Sequence, residues 1–188
     1  MNHSIEKQIF SFLLKSFRDD LEYTARLLKS FHLYNRENIK LYLVVPRADQ
    51  EFFLIFKTLN VELLFDEMFG DELVHEPVNG TRTGYINQQI IKIMFGKLNL
   101  TENWMCLDSD GEFLRSFRIS DFMFDDDTPY SVLVEDNELR LDELYFRSIF
   151  PERMRKIEKI ARTFDYAAKP ILTCHGFQII SQKVIRDL

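Results

Sequence analysis

Residues 103–115 read N-W-M-C-L-D-S-D-G-E-F-L-R, and the other segments of the chain can be placed around them. An apolar run leads directly into an acidic triplet, Asp108-Ser109-Asp110, which is followed by Gly111. A short apolar run that ends in turn-forming residues is typical of a strand buried on both faces of a parallel sheet. The carboxyl end of such a strand faces the ligand crevice of an open α/β sheet. We therefore expect the two carboxylates at a ligand site.

Asp108 and Asp110 are separated by one residue, so their negative charges repel unless a cation lies between them. Hard divalent ions that prefer oxygen ligands, Mn²⁺ or Mg²⁺, meet this requirement. A solvated turn is the alternative, because Asp, Ser and Gly favour turns in any case. The position of the triplet directly after a buried strand favours the metal site.

Composition and charge limit the class of protein. The chain has 188 residues, enough for one domain, and 46% of them are apolar, which excludes a disordered chain. A net charge of −6 without a basic stripe argues against nucleic acid as a partner. The apolar run at 9–14 is too short to span a bilayer and lacks the features of a signal peptide. We expect a cytoplasmic protein without a transmembrane segment. Peripheral membrane contact and the oligomeric state stay open.

Cys106 and Cys174 are far apart in the sequence. Without a sign of secretion, both are expected to be reduced rather than paired. Cys106 lies within the apolar run, where free cysteine usually behaves as a small core residue.

Strand and helix patterns alternate along the chain. Strands are predicted at 8–17, 39–45, 61–65 and 130–134. Helices are predicted at 21–34, 50–59, 85–98 and, strongly charged, at 142–164. This alternation predicts an α/β fold with a mostly parallel sheet flanked by helices. No repeat or linker is visible, so we expect one domain over residues 1–188.

Two further groups of polar residues lie where this fold places ligands. Arg18, Asp19 and Asp20 follow the first strand, at the end where a nucleotide base lies in a doubly wound sheet. Capping of the next helix is the alternative for these carboxylates, and both roles are compatible. Gln88 and Lys92 are four residues apart on one helix face. They could reach a phosphate or a sugar hydroxyl, or they could form a solvated face.

Asp136 and His175 are the candidates for a general base, and His175 could also be a metal ligand. Glu135 and Asp136 end the predicted strand at 130–134, and His175 precedes Gly176 after a short apolar run. A structural histidine is the more frequent alternative for His175.

Typical phosphate-loop, dinucleotide, C-x-x-C and H-E-x-x-H motifs are absent from the sequence. P-loop NTPases, typical dinucleotide enzymes and common zinc sites are therefore excluded.

A resemblance to bacterial glycosyltransferases of the GT-A class is carried by several of these segments. They are S-F-R-D-D after the first strand, the L-Y-L-V-V-P strand, the G-Y-I-N-Q-Q-I-I-K-I helix and the C-L-D-S-D-G strand end. The chain is most similar to a group associated with surface polysaccharide, which has a late segment similar to G-F-Q-I-I-S-Q-K-V-I-R-D-L. The resemblance spans most of the chain, and the D-x-D and Q-Q-x-x-K patterns are its specific parts.

The resemblance implies a metal-dependent glycosyltransferase with a single GT-A-like domain. A nucleotide-sugar donor, with a UDP-sugar as the first candidate, would be held through Mn²⁺ or Mg²⁺ by Asp108 and Asp110. The ion and Lys92 would stabilise the leaving diphosphate while a hydroxyl of a glycan acceptor attacks the anomeric carbon. The donor-binding residues implied in this way are Ser16, Arg18, Asp19, Gln88, Lys92 and Asp108.

Two other functions stay open at this point. A nucleotidyl or phosphoryl transferase could use the same paired carboxylates, and a non-catalytic GT-A-like module could bind nucleotide alone. The sequence ends at Leu188, whereas GT-A enzymes usually continue into acceptor-binding and catalytic segments. Whether a C-terminal acceptor-binding part is missing is therefore open, as are the sugar, the acceptor and the stereochemistry of transfer.

Overall fold

The computed structural model describes residues 7–131, 141–163 and 178–187. The chain divides into two compact units, one formed by residues 1–131 with 176–188 and the other by residues 132–175. The larger unit holds the sheet, and the described part of the smaller unit holds two helices. The assignment of residues 1–188 to one domain stays a prediction.

Within the described residues, the larger unit is built on a five-stranded sheet with the order β3-β2-β1-β4-β5. Its strands are β1 (Gln8–Lys15), β2 (Lys40–Val45), β3 (Val61–Phe65), β4 (Thr101–Leu107) and β5 (Ile179–Ser181). The first four strands are parallel, and β5 runs antiparallel to β4. Central parallel strands are covered on both faces, which explains the nearly continuous apolar runs of β1 and β2. The predicted α/β fold with a mostly parallel sheet flanked by helices is confirmed.

The chain changes its direction of travel across the sheet after β3. From β1 it moves outward through β2 to β3, and helix α3 (Thr83–Met94) then returns it to the other side of β1. There β4 pairs with β1, with Leu107 opposite Leu14 at the carboxyl ends. The chain therefore continues from β1 toward one side of the sheet and from β4 toward the other side. Such a topological switch point is where open α/β sheets form their ligand crevice.

Helices α1 (Leu21–Tyr34), α2 (Gln50–Phe53) and α6 (Gln182–Asp187) complete the larger unit. The helix predicted at 50–59 is shorter than expected, because a 3₁₀ turn at Leu54–Phe56 ends it. The helix predicted at 85–98 begins at Thr83 and passes into a 3₁₀ turn that stops at Asn99, which has a left-handed backbone with φ of 54°.

The strand predicted at 130–134 is not formed at its first two positions. The backbone N–H of Tyr130 donates to the carbonyl of Phe122, so this segment closes a loop instead of adding to the sheet. Residues 132–134 lie outside the described residues.

Two apolar cores lie on opposite faces of the sheet because successive strand residues point to opposite sides. Phe10, Phe12 and Leu14 of β1 pack on one face against α1 and against phenylalanines that follow β4. On the other face, Trp104 is fully buried beside Phe95, with ring centroids 5.5 Å apart. The Trp104 Nε1–H donates to the Lys92 carbonyl at 2.8 Å, which fixes α3 against β4.

The smaller unit contains α4 (Glu143–Ser148) and α5 (Phe150–Thr163). Asp142 caps α4, because its Oδ1 accepts the backbone N–H of Tyr145 at 2.9 Å. The rings of Phe146 and Phe150 stack with centroids 5.1 Å apart. The mostly helical region expected at 142–164 is therefore present over its described part. No helix among the described residues is long and apolar enough to cross a membrane.

Phe12→Ala should lower the free energy of unfolding by about 3–5 kcal/mol, because a cavity replaces a fully buried ring. The Phe12 ring has several aromatic neighbours, including Phe122 at 5.2 Å and Phe113 at 5.3 Å between centroids. Urea denaturation measures the change. Leu59→Ala, at a side chain that is 83% exposed, is the matched control and should change stability by less than about 0.5 kcal/mol. Equal losses in the two variants would contradict the core assignment.

Candidate functional site

The end of β4 forms a tight turn that presents its carboxylates. The backbone N–H of Gly111 donates to the Asp108 carbonyl at 3.0 Å, which closes the turn after the buried strand. Asp108 is half-buried beside the crevice, whereas Asp110 is exposed. The two carboxylates therefore differ in their exposure to solvent, although only one residue lies between them.

Helix α3 places two polar side chains against Asp108. The Lys92 Nζ lies 2.7 Å from Asp108 Oδ1, and the Gln88 Nε2 lies 3.4 Å from the same oxygen. Gln88 and Lys92 can do this because residues four apart share a helix face. The Trp104 bond to the Lys92 carbonyl holds the helix at this register. The structure thus brings three of the sequence-predicted site residues into one cluster.

The end of β1 is tied to the end of β4 by a side-chain bond. The Ser109 Oγ–H donates to Asp20 Oδ2 at 2.7 Å. Asp20 therefore does not cap α1, which begins without a side-chain cap. Ser16 is buried, and its hydroxyl is hydrogen bonded to that of Thr24 at 2.7 Å. The Ser16 side chain thus fastens α1 to β1, and its expected role at the nucleotide stays a prediction.

Arg18 and Asp19 are exposed beside this strand end. The backbone N–H of Arg18 donates to Asp49 Oδ2 at 2.9 Å, and its guanidinium lies 4.5 Å from the centre of the Phe52 ring. Neither residue contacts the Asp108 cluster in the contacts found among the described residues. Their expected role in nucleotide binding stays a prediction.

A cavity of about 560 Å³ lies at the carboxyl ends of β1, β2 and β3. The first turn of α3 forms its other wall, and the lining includes Lys15, Asp66, Arg82, Tyr85 and Gln88. We refer to it as the strand-end cavity. Because Gln88 lines it and also lies 3.4 Å from Asp108 Oδ1, the cavity lies beside the cluster at the end of β4.

Lys15 and Asp66 form a buried ion pair in the wall of the strand-end cavity. The Lys15 Nζ lies 3.2 Å from Asp66 Oδ1, and only 9% and 19% of the two side chains are exposed. Burial lowers the pKa of Lys15, against the opposing effect of Asp66. Burial likewise raises the pKa of Asp66, against the opposing effect of Lys15. Asp66 Oδ1 is buried, and its contact with the Lys15 Nζ is an ion pair rather than a hydrogen bond of normal geometry.

An apolar groove of about 500 Å³ opens on the other side of Asp108. Its lining includes Leu27, Phe113, Phe117 and Phe122, with Asp108 at its edge. We refer to it as the phenylalanine groove. Asp108 therefore lies at the edge of the apolar groove, and Gln88 links it to the charged strand-end cavity.

The carboxylates fit a divalent ion only together with a ligand that brings further oxygens. No group of three or more His, Cys, Asp or Glu side chains suited to a metal is found in the part of the chain that the structure describes. Mg²⁺ is commonly held by one or two carboxylates with the phosphates of a substrate. Asp108 and Asp110 meet this smaller requirement, although Lys92 already neutralises one oxygen of Asp108.

Asp136 and His175, the candidates for the general base, lie outside the described residues, so their role stays a prediction.

Sequence reasoning missed Lys15 and Asp66. The signal was present, since Asp66 follows a strand in the same way as Asp108. Because the predicted first strand continues to Phe17, the prediction places Lys15 inside the strand rather than at its end.

A family model described as a family of unknown function (DUF6492) matches residues 7–158. The chain belongs to this family. The matched region of this DUF6492 chain contains β1 to β4 and every described residue of the Asp108 cluster. No curated protein matches the chain.

Two solved glycosyltransferase structures are similar to the DUF6492 chain. Mouse xyloside xylosyltransferase 1 matches with a TM-score of 0.55 and 12% identity, covering 94% of this chain and 68% of its own. The bifunctional glycosyltransferase WbbM matches with a TM-score of 0.59 and 11% identity, covering 100% of this chain and 34% of its own. The chain thus spans about a third of the length of WbbM. At these identities the two similarities establish the fold.

Asp66→Asn should lower the free energy of unfolding by about 3 kcal/mol, because it leaves Lys15 buried without its counter-charge. The pKa of Lys15 then falls further, so the folded state binds fewer protons than the unfolded state. Stability of the variant should consequently rise from pH 7 toward pH 10 more than that of the wild type. Urea denaturation across this range measures both effects. The double variant Lys15→Met with Asp66→Asn should recover part of the loss, and no recovery would contradict a coupled pair.

Cys106 should react slowly in the folded protein, because burial raises the pKa of its thiol to about 12. In a Cys174→Ser background, one thiol remains. Its reaction with a disulfide reagent at pH 8 should be on the order of 100-fold slower in buffer than in urea. Equal rates in buffer and in urea would show that Cys106 is accessible and would contradict its place in the core.

Proposed function

We propose that this DUF6492 protein is a glycosyltransferase that moves a sugar from a nucleotide-sugar donor to a hydroxyl of a glycan or another acceptor. The observation that carries the proposal is the cluster of Asp108, Lys92 and Gln88 at the topological switch point of a fold similar to glycosyltransferases. Synthesis of surface polysaccharide is the biological setting that the sequence resemblance favours.

The strand-end cavity is proposed to hold the nucleoside of the donor. Its volume of about 560 Å³ lies within the range of small-molecule sites. Lys15 offers N–H donors and the Asp66 carboxylate offers acceptor oxygens. The edge of uracil places a carbonyl beside an N–H group and so complements this pair. This complementarity supports a UDP-sugar as the donor.

The diphosphate is proposed to lie between the start of α3 and the Asp108 cluster. Helix α3 has 12 residues and no side-chain cap, so its first N–H groups can donate to an anion. Arg82, directly before the helix, and Lys92, further along it, add positive charge on the same path. A divalent ion bound with the donor at Asp108 and Asp110 would supply Lewis-acid neutralisation of the diphosphate.

Transfer would form a bond between the acceptor oxygen and the anomeric carbon while the bond from that carbon to the diphosphate breaks. The Lys92 ammonium would donate a hydrogen bond to the leaving diphosphate, whose negative charge grows during the step. The acceptor proton passes to a general base, for which Asp136 and His175 remain the proposed candidates. The acceptor would approach from the phenylalanine groove, because Asp108 lines this groove and contacts Gln88 of the proposed donor cavity.

UDP with Mn²⁺ should raise the apparent stability of the wild type by roughly 2.7 kcal/mol at a hundredfold excess over its dissociation constant. Thermal unfolding with UDP, GDP and CMP, each with and without Mn²⁺, measures this effect. UDP should give the largest shift, because its base complements Lys15 and Asp66. Asp108→Asn should abolish the part of the shift that depends on Mn²⁺.

Asp126→Asn is the matched control, since it removes the same charge from an exposed loop away from β4. It should bind UDP and Mn²⁺ as the wild type does. An equal UDP shift with and without Mn²⁺ would remove the metal from the proposal. The absence of a shift with every nucleotide would contradict the donor site itself.

A further inference from the structure

We propose that helix α5 is a docking surface for anionic lipid, independent of the sugar-transfer proposal. Five basic and two acidic side chains give α5 a charge of +3 in a chain whose net charge is −6. The remaining residues therefore carry −9. Positive charge is concentrated on one helix of an otherwise acidic protein, which restricts where an anionic surface can approach.

The basic residues are arranged along one side of α5. Arg155, Lys159 and Arg162 follow each other at intervals of four and three residues, so they share a face. All three side chains are exposed, and no ion pair is found for any of them among the described residues. Glu152 is neutralised by Lys156 at 2.8 Å. Glu158 follows Arg155 by three residues and precedes Arg162 by four, so it is a carboxylate on the same face as the stripe.

The apolar side of α5 is engaged within its own helix pair. Phe150, Met154 and Ile157 recur at helical spacing and are half-buried. Phe150 stacks on Phe146, and the Arg153 guanidinium donates to the Tyr145 hydroxyl at 2.7 Å. These contacts orient α5 on α4 and leave the Arg155 side of the helix facing outward.

A lipid surface fits this stripe better than a protein partner does. Protein interfaces usually have an apolar core surrounded by polar residues, and the stripe offers charge without such a core. A layer of anionic headgroups requires charge alone. Clusters of four to eight Lys or Arg on an amphipathic helix are typical of binding to anionic lipids. Helix α5 carries five such residues. Arg155, Lys159 and Arg162 form the stripe, whereas Lys156 pairs with Glu152 and Arg153 donates to Tyr145.

Sedimentation with vesicles tests the proposal on the full chain. The wild type should bind vesicles of phosphatidylglycerol mixed with phosphatidylcholine and should not bind vesicles of phosphatidylcholine alone. Salt at 0.5 M should release it, because screening weakens contacts between exposed charges. The triple variant Arg155→Gln, Lys159→Gln and Arg162→Gln should bind the anionic vesicles at least tenfold more weakly. Gln preserves helix propensity, and circular dichroism checks that the variant is folded.

The triple variant Arg26→Gln, Lys29→Gln and Lys57→Gln is the matched control, because it removes the same charge from exposed positions of the larger unit. It should bind anionic vesicles within twofold of the wild type. An equal loss in both triple variants would show that net charge rather than α5 decides binding. Equal binding to neutral vesicles, or binding to soluble polyglutamate without binding to vesicles, would also overturn the proposal.

Discussion

The pairing of β4 with β1 is the constraint on which the rest of the site depends. Because the chain builds outward from β1 to β3 and then returns, the carboxyl ends of β1 and β4 become neighbours. The Ser109 bond to Asp20 joins the two ends directly. Helix α3 must cross the sheet to make the return, and its crossing carries Gln88 and Lys92 to Asp108. The topology of the sheet thus assembles the cluster.

Charge pairing keeps these polar groups compatible with a half-buried crevice. Asp108 is neutralised by Lys92, and Asp66 by Lys15, at two places along the same sheet edge. Each pair joins a lysine to a carboxylate that follows a strand of the sheet. A buried pair adds little stability in itself, because desolvation opposes the Coulombic attraction.

Much of the fold could be predicted, because buried parallel strands leave continuous apolar runs such as residues 40–45 and 101–107. The D-x-D position and the shared face of Gln88 and Lys92 follow from strand ends and helical spacing. The ion pair of Lys15 with Asp66 could not be derived in the same way, because it joins strands whose register sequence alone does not give. The engagement of Ser16 with Thr24 also depends on how α1 packs on β1. Local sequence patterns therefore predict the strands and helices. Contacts between side chains of different strands and helices are seen only in the structure.

The release of nucleotide products tests the central claim most directly, because it reports which bond at the Asp108 cluster is broken. Nucleotide sugars are incubated with the wild type and with Asp108→Asn, and the nucleotides formed are separated by chromatography. Our account predicts that the wild type releases a nucleoside diphosphate together with a free or transferred sugar, and that Asp108→Asn does not. Release of a nucleoside monophosphate together with a sugar phosphate from a nucleoside-diphosphate sugar would contradict sugar transfer and would indicate nucleotidyl or phosphoryl transfer. No turnover, with nucleotide still bound, would indicate a binding module.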